Sequence, residues 1–533
     1  MLRIENAPAR ATRREWIGLA VLALPTLLLS IDVSVLYLAL PHISTDLDAT
    51  ATQQLWILDI YSFLLAGFLV TMGTVGDRIG RRRLLLIGGA AFGVASVLAA
   101  YSTSAEMLIA TRALLGVAGA TLMPSTMALI RNMFLDPTQM GTAISVWFAC
   151  FLGGMTLGPL VGGVLLEQFW WGSAFLLGVP FMVVLLVAGP ALLPEYKDPE
   201  PGRLDPVSVL LSLGAILPLI YGLKTLARDG LSPVSLTTIV VGLYVGVVFV
   251  RRQGRLAHPL LDLRLFANRV FSTSLGVMLL TGVVMAGISL MATIYLQVVE
   301  GLSPLQAGLW LIPQNVAMIS TAMLGPVVGR RFRTSYVLAA GLLIAAVGLA
   351  VLTQVSGTGG LAPLVAGMTI AAFGIGLPMP LLMGLMLSSV PVEKAGSASA
   401  LSETSGEFGI AMGIASLGSL GAYVYRSALT DLLPGDLPSG VAAVARESVG
   451  AAVASAQQMP GRLGTELVAS ADNAFASGLN AVAVVGAVVF AGLAVVAARL
   501  RTDESGPTDV PDAELDAVLD DGAQPALAAE RSA

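Results

Sequence analysis

The stretch Gly73-Thr-Val-Gly-Asp-Arg-Ile-Gly-Arg-Arg-Arg83 joins two long apolar runs, at residues 53–75 and 84–103. Its glycines allow a tight turn between two helices. Asp77 can cap the following helix, and the arginines can pair with acids across an interface. Because roughly 20 apolar residues span a bilayer, the stretch predicts two membrane helices joined by a short basic loop.

The composition of the whole chain agrees with a membrane protein. Of its 533 residues, 56% are hydrophobic and only 12% are charged, whereas soluble domains carry about 25% charged residues. This excludes a soluble enzyme, a nucleic-acid binder, a secreted disulfide scaffold and an outer-membrane barrel. One cysteine, Cys150, and two distant histidines, His42 and His258, predict neither a disulfide nor a metal site.

Apolar runs bounded by charges or turn residues predict fourteen membrane spans. They lie near residues 16–40, 53–75, 84–103, 106–128, 141–165, 173–193, 207–226, 233–250, 271–298, 305–328, 335–354, 361–388, 399–425 and 474–498. An even number of spans places both termini on one side. Most lysines and arginines fall on that side, which makes it the cytoplasm. Lys224 is assigned to an external segment, and Arg112 is interpreted as the only basic residue within a span.

An internal repeat predicts two lobes. Gly325-Pro-Val-Val-Gly-Arg-Arg-Phe-Arg333 follows the tenth run as 73–83 follows the second. Parallel lobes with a site between them are a transporter plan. The prediction is an all-α integral membrane protein of two six-helix lobes plus two inserted helices. The predicted parts are a cytoplasmic N-terminus (1–15), an N-terminal lobe (16–193), a linker (194–204), two inserted helices (205–251), a cytoplasmic loop (252–270), a C-terminal lobe (271–498) containing an external segment (427–473), and an acidic disordered cytoplasmic tail (499–533).

A few charges fall inside the predicted spans, where charges are functional by default. They are Asp32, Asp59, Arg112, Glu403 and Glu407. Glu403 and Glu407 are four residues apart and share a helix face. A carboxylate that exchanges a proton for a lipophilic cation can couple their flows. Two structural alternatives stay open, an arginine tied to backbone carbonyls for Arg112 and a solvated acid for Asp59.

The fifth run contains Gly154-Met-Thr-Leu-Gly158-Pro159-Leu-Val-Gly162-Gly163. Gly154 and Gly158 form a GxxxG face that permits close helix packing. Pro159 removes a backbone hydrogen bond and bends the helix.

These blocks resemble signatures of the major facilitator superfamily. The 73–83 stretch resembles its loop 2–3 motif, and 154–163 resembles the motif associated with antiporters. Residues 108–119 resemble the span 4 motif, in which the arginine, here Arg112, is linked to proton transfer. With fourteen spans, the chain is similar to the drug:proton antiporters of the Qac type, which export quaternary ammonium compounds and other drugs.

The resemblance implies a proton-coupled antiporter that exports organic cations and amphipathic drugs, with no enzyme activity and no cofactor other than protons. Asp32 and Glu407 would carry coupling, followed by Glu403 and Asp59, and Arg112 would tune the relay. The 73–83 loop would control the cytoplasmic gate. The expected partners are small-molecule substrates and the lipid bilayer, not nucleic acid, and the expected state is a monomer. The gating candidates are Gly73, Gly76, Asp77, Arg78, Gly80 and Arg81.

Alternatives remain at this stage. An exporter of a narrower cargo, such as a self-made antibiotic, a lipid or an amino acid, has the same motifs. A nutrient symporter fits the fold but not the fifth-span motif. In the external segment, Val441–Gln457 is predicted to form one amphipathic helix and 461–471 a second, either as a hairpin over the outer mouth or as a passive tether.

Overall fold

The structure is a computed structural model that describes residues 10–197, 205–256, 259–433, 437–459 and 461–500. Within these residues the chain is helical and contains no strand. The α-helices are α1 (Arg13–Asp46), α2 (Ala51–Ile79), α3 (Arg81–Ala100), α4 (Ala105–Met133), α5 (Pro137–Gln168), α6 (Ser173–Leu176), α7 (Gly178–Leu192), α8 (Pro206–Asp229), α9 (Pro233–Gln253), α10 (Arg269–Ile294), α11 (Pro304–Trp310), α12 (Ile312–Arg331), α13 (Thr334–Leu352), α14 (Leu361–Gly376), α15 (Pro378–Ser388), α16 (Ala395–Leu432), α17 (Ser439–Ala445), α18 (Val449–Gln457) and α19 (Arg462–Ala498). Short 3-10 helices lie at Leu263–Ala267 and Val392–Lys394, and a π-helix at Tyr295–Val299 continues α10.

Fourteen helical stretches among the described residues are long and apolar enough to cross a membrane, which confirms the predicted number of spans. Three spans consist of two helices each, α6 with α7, α11 with α12, and α14 with α15. Polar side chains cap the first turns of α1, α2, α4 and α5 and stabilise the starts of these long helices. Thr12 and Glu15 form a capping box at the start of α1, for example.

The helices form two lobes plus an inserted pair, as predicted. One hydrophobic core lies mainly among α1–α7 and another among α10–α19. The inserted helices α8 and α9 pack against each other, and α8 also packs against α2 and α16. The inserted pair is therefore attached to both lobes. The predicted tail and most of the linker, residues 501–533 and 198–204, lie outside the described residues.

The predicted tight turn between the second and third spans is confirmed, but the loop 76–83 is shorter than predicted, because helices occupy all of it except Gly80. Helix α2 continues to Ile79 and α3 begins at Arg81. Gly80 alone joins them, with a φ of 111°. Only glycine adopts this conformation readily, so a single residue reverses the chain direction.

The prediction of one helix over Val441–Gln457 is also wrong. The segment forms α17 and α18, and residues 461–471 belong mostly to α19. Ala445, Val449 and Ala452 are buried in the core of the C-terminal lobe. The Tyr425 hydroxyl donates a hydrogen bond of 2.8 Å to the carbonyl oxygen of Ala445. The two short helices are thus an integral part of that lobe.

Candidate functional site

The N-terminal lobe buries an ion pair between α1 and α4. Arg112 Nη1 lies 2.7 Å from Asp32 Oδ2, and only 1% and 7% of the two side chains are exposed. Arg112 Nε also donates a hydrogen bond of 3.3 Å to the carbonyl oxygen of Ile57. Asp32 is the kind of acidic partner that a proton relay needs, and the Ile57 carbonyl is the kind of contact expected of a structural arginine. Arg112 therefore has features of both interpretations. Removing one partner of such a buried pair strongly destabilises the folded protein.

Tyr61 of α2 extends this charged cluster. The Arg112 guanidinium lies 4.6 Å from the centroid of the Tyr61 ring, a cation–π distance. The Tyr61 hydroxyl is buried and has no hydrogen-bond partner among the described residues. The charges of Asp32, Arg112 and Glu407 all act on it. The sequence analysis overlooked Tyr61, because a tyrosine in an apolar run is usually a packing residue.

Glu403 and Glu407 lie on the face of α16 that points to the N-terminal lobe. The positions along this face follow the helical spacing of three and four residues. Gly396 and Ala400 at one end contact Arg81 and Gly73 of the N-terminal lobe. Ala411, beyond the two acids, packs in a small cluster with residues of α2 and α8. The acids therefore lie at the interface between the lobes.

Neither glutamate is in direct contact with a basic side chain in the part of the chain that the structure describes. Both side chains are partly buried, and among the described residues neither has a hydrogen bond or an ion-pair partner within 4.0 Å. A carboxylate in this situation is costly unless it binds a proton or a cation. The pair can therefore bind a proton or a cation.

Asp59 is paired with a residue of the inserted helix α8. Lys224 Nζ lies 2.6 Å from Asp59 Oδ1. Lys224 lies two residues from the end of the candidate span Pro206–Leu226, and its ion pair with Asp59 holds it against α2. The position of Lys224 inside the seventh apolar run was the available signal, because charges within spans are functional by default.

Asp77 joins the two lobes and does not cap α3, so the capping prediction is wrong. Its carboxylate pairs with Arg81, which is buried. It also accepts a hydrogen bond of 2.9 Å from Ser397 Oγ of α16. Arg82 and Arg83 do not cross the interface as expected, since both pair with Glu195 of the segment predicted as the linker. Among the remaining gating candidates, Gly76 packs against Arg81 and Arg78 lies in the last turn of α2.

Further contacts close the lobes at the end that carries the α2–α3 turn. Arg330 Nη2 of α12 lies 3.4 Å from the carbonyl oxygen of Thr138 on α5. The core of the N-terminal lobe continues into Met383, Met386 and Leu387 of α15. Helices α5, α12, α15 and α16 thus hold the two lobes together at this end of the interface.

The 154–163 block packs α5 tightly against α1. A side chain at Gly154 would meet the carbonyl oxygen of Leu27, and one at Gly158 would meet Ser34. Gly162 contacts Val35, whereas a side chain at Gly163 would meet nothing within 4 Å. Pro159 belongs to α5, but its side chain is not among those that the structure describes.

Comparisons with known proteins agree with this arrangement. The profile of the Major Facilitator Superfamily matches residues 22–414. The multidrug efflux pump LfrA of Mycolicibacterium smegmatis is 44% identical, over 93% of this chain and 99% of the pump. The methyl viologen resistance protein SmvA of Salmonella typhimurium is 35% identical, over 87% and 93%. The tetracenomycin C resistance and export protein of Streptomyces glaucescens is 30% identical, over 95% and 96%. In fold, the chain is similar to the human organic anion transporter MFSD10, with a TM-score of 0.52 and 15% identity over 90% of this chain and 98% of that one.

Proposed function

Because this chain belongs to the major facilitator superfamily, we propose that it is a proton-coupled antiporter that exports organic cations and amphipathic drugs. The cargo class is supported by similarity to a multidrug efflux pump and to a methyl viologen resistance protein. Methyl viologen is an organic dication. Quaternary ammonium compounds have the same chemistry and belong to the proposed cargo.

The observation that carries the proposal is the pair of Glu403 and Glu407 at the lobe interface, which has no ion-pair partner among the described residues. When ionised, each needs a counter-ion, which can be the charged part of the cargo. When protonated, it needs none, and the cargo is released. One site that alternates between these occupants exchanges cation for proton in a fixed ratio.

The buried pair of Asp32 and Arg112 supplies the second half of the proposed relay. Protonation of Asp32 would release Arg112 from its ion pair. The charges of Arg112 and Glu407 both act on Tyr61, which lies between them in this relay. A proton on one lobe can therefore change the electrostatic environment of the acid on the other. The 73–81 segment would gate the path, with the Asp77 contact holding that end closed while cargo leaves at the other.

The proposed setting is the plasma membrane, with the α2–α3 turn and both termini in the cytoplasm and the protein acting as a monomer. Alternating access then requires the lobes to part at the cytoplasmic end and close at the external end. The closed cytoplasmic end corresponds to the state that releases cargo outside.

A narrower exporter is the second candidate. Similarity to the tetracenomycin C resistance and export protein over nearly the whole chain favours it. The two candidates share the transport mechanism and differ in the range of cargo. A nutrient symporter, the third candidate, would move cargo and protons in the same direction.

Purified protein in liposomes with an acidic lumen provides the test. Ethidium uptake should depend on the pH gradient and stop when nigericin collapses it. Glu407→Gln should lower this flux at least tenfold. Glu167→Gln, at the exposed end of α5, is the matched control and should leave it unchanged.

Three outcomes separate the candidates. Gradient-driven flux of several lipophilic cations supports the broad pump. Flux of one antibiotic class alone supports the narrower exporter, and cargo that moves with the protons supports a symporter. Full activity of both Asp32→Asn and Glu407→Gln would refute the assignment of the coupling residues.

A further inference from the structure

The Lys224 ammonium occupies a place suited to an organic cation. It lies 2.6 Å from Asp59 Oδ1 and 4.6 Å from the centroid of the Phe63 ring. A carboxylate combined with an aromatic face is the arrangement with which proteins bind organic cations. Helix α8, which packs between α2 and α16, thus inserts its own cation into such an arrangement.

An aromatic cavity meets this ion pair at Phe63, whose ring lines the cavity, whereas Asp59 and Lys224 do not. Trp56 and Tyr221 stack with ring centroids 6.3 Å apart, and Phe63 lies 6.2 Å from Tyr221. The three rings line a cavity of about 410 Å³ between α2, α8 and α9, whose other walls are almost entirely apolar. This volume falls in the range of small-molecule sites. Aromatic walls beside one carboxylate suit a lipophilic cation better than a neutral or anionic compound.

We propose that Asp59, Trp56, Phe63 and Tyr221 form a second binding site for lipophilic organic cations, with Lys224 as its tethered competitor. We call these five residues the α8 site. The cargo class rests on the proposed function. The site itself rests on the ammonium that already occupies it and on the cavity beside it.

The location of the α8 site fits a step in cargo release. Trp56 and Asp59 lie in the first turns of α2, far from the end at which the lobes are closed. Asp59 and Lys224 are about one-third exposed, so a cation can reach them. The charge of Lys224 also acts on Glu407. A cation leaving Glu407 can displace Lys224 from Asp59, and the returning lysine then expels the cation from the site.

Equilibrium binding of tetraphenylphosphonium to the purified full-length protein in detergent, measured by calorimetry, tests the site. Lys224→Met should lower the Kd of the α8 site about tenfold, the scale expected for one nearby charge in a partly solvated site. Asp59→Asn should raise the Kd by a similar factor. Lys224→Arg retains the charge and should stay within twofold of the wild type, as should Lys197→Met, an exposed lysine outside the helices.

A purely structural ion pair predicts a different pattern. Lys224→Met and Asp59→Asn would then lower thermal stability alike and leave the Kd unchanged or shift it in the same direction. Opposite shifts of the Kd require competition between lysine and ligand. In transport, Lys224→Met should lower both KM and kcat for tetraphenylphosphonium, because cargo binds more tightly and leaves more slowly.

The binding and transport measurements distinguish failure of this site from failure of the proposed function. Opposite Kd shifts without gradient-driven transport would support the site and refute the antiporter. Gradient-driven transport with identical Kd values in all variants would refute the site alone. Absence of any lipophilic-cation binding by the wild-type protein would overturn the site as well.

Discussion

Ser397 Oγ of the C-terminal lobe donates a hydrogen bond of 2.9 Å to Asp77 Oδ2 of the N-terminal lobe. The same carboxylate pairs with the buried Arg81 of its own lobe. Asp77 is therefore held by its own lobe whether the interface is closed or open. The serine hydroxyl is the part of this cluster that must separate when the lobes part, and it can be removed without leaving Arg81 unpaired.

Ser397→Ala should favour the conformation that is open at the α2–α3 end. A hydrogen bond to a charged group contributes roughly 1.5–3 kcal/mol, so we expect at least about a tenfold change in the ratio of closed to open protein. Spin labels at the exposed positions Leu135 and Phe332, in a Cys150→Ala background, measure it by pulsed electron resonance. Ser388→Ala, whose hydroxyl bonds within its own helix, is the control. An unchanged distance distribution would assign closure to the surrounding apolar contacts.

Removal of one member of the Arg112–Asp32 pair should destabilise the N-terminal lobe. Arg112→Met leaves a buried carboxylate unpaired and should cost about 3–5 kcal/mol, measured as loss of thermal stability in detergent. The double variant Asp32→Asn/Arg112→Met should recover most of this loss. It should not recover pH-driven transport, because both relay groups are gone. Recovered transport would make the pair purely structural.

Two adjacent glycines of α5 should differ sharply in their tolerance of alanine. A Cβ at Gly154 would lie 2.6 Å from the carbonyl oxygen of Leu27, whereas one at Gly153 would meet nothing within 4 Å. Gly154→Ala must push α5 away from α1 and should cost about 1–3 kcal/mol, while Gly153→Ala should be neutral. Thermal unfolding of the two variants provides the comparison. Equal melting temperatures would contradict the close contact between α1 and α5.

Tyr425→Phe should loosen the short helices α17 and α18. It leaves the buried carbonyl oxygen of Ala445 without its 2.8 Å hydrogen bond, a loss of about 1–3 kcal/mol. Hydrogen exchange in residues 439–457 should accelerate accordingly, as followed by mass spectrometry. Tyr423→Phe, on the exposed side of the same helix, should leave exchange in this segment unchanged. Acceleration in both variants would indicate a general effect on α16.

The number of spans and the two-lobe plan could be predicted from the sequence because a bilayer imposes a minimum apolar length on each helix. The same constraint makes intramembrane acids such as Asp32 and Glu407 conspicuous. Their partners were not predictable in this way. Asp32 meets Arg112 across 80 residues of sequence, and hydropathy carries no information about which helices are neighbours.

The differences between the sequence analysis and the structure have physical causes. Asp77 does not cap α3 because α2 stays helical as far as Ile79. Asp77 is therefore a residue of α2, and Gly80 occupies the N-cap position of α3. Lys224 lies near the end of its apolar run, where a long side chain usually reaches the headgroups. Here Asp59 offers a closer partner. Val441–Gln457 has the composition of a helix, but Ser448 caps a new one and splits the segment.

Helix α16 runs without interruption for 38 residues from Ala395 to Leu432. Glu407 and the contact at Gly396 therefore belong to one stiff rod, roughly 16 Å apart at the helical rise of 1.5 Å per residue. Any tilt that a cation or proton imposes at Glu407 becomes a displacement at the contacts around Arg81. The helix can thus act as a lever between the acidic pair and the contacts that hold the lobes together.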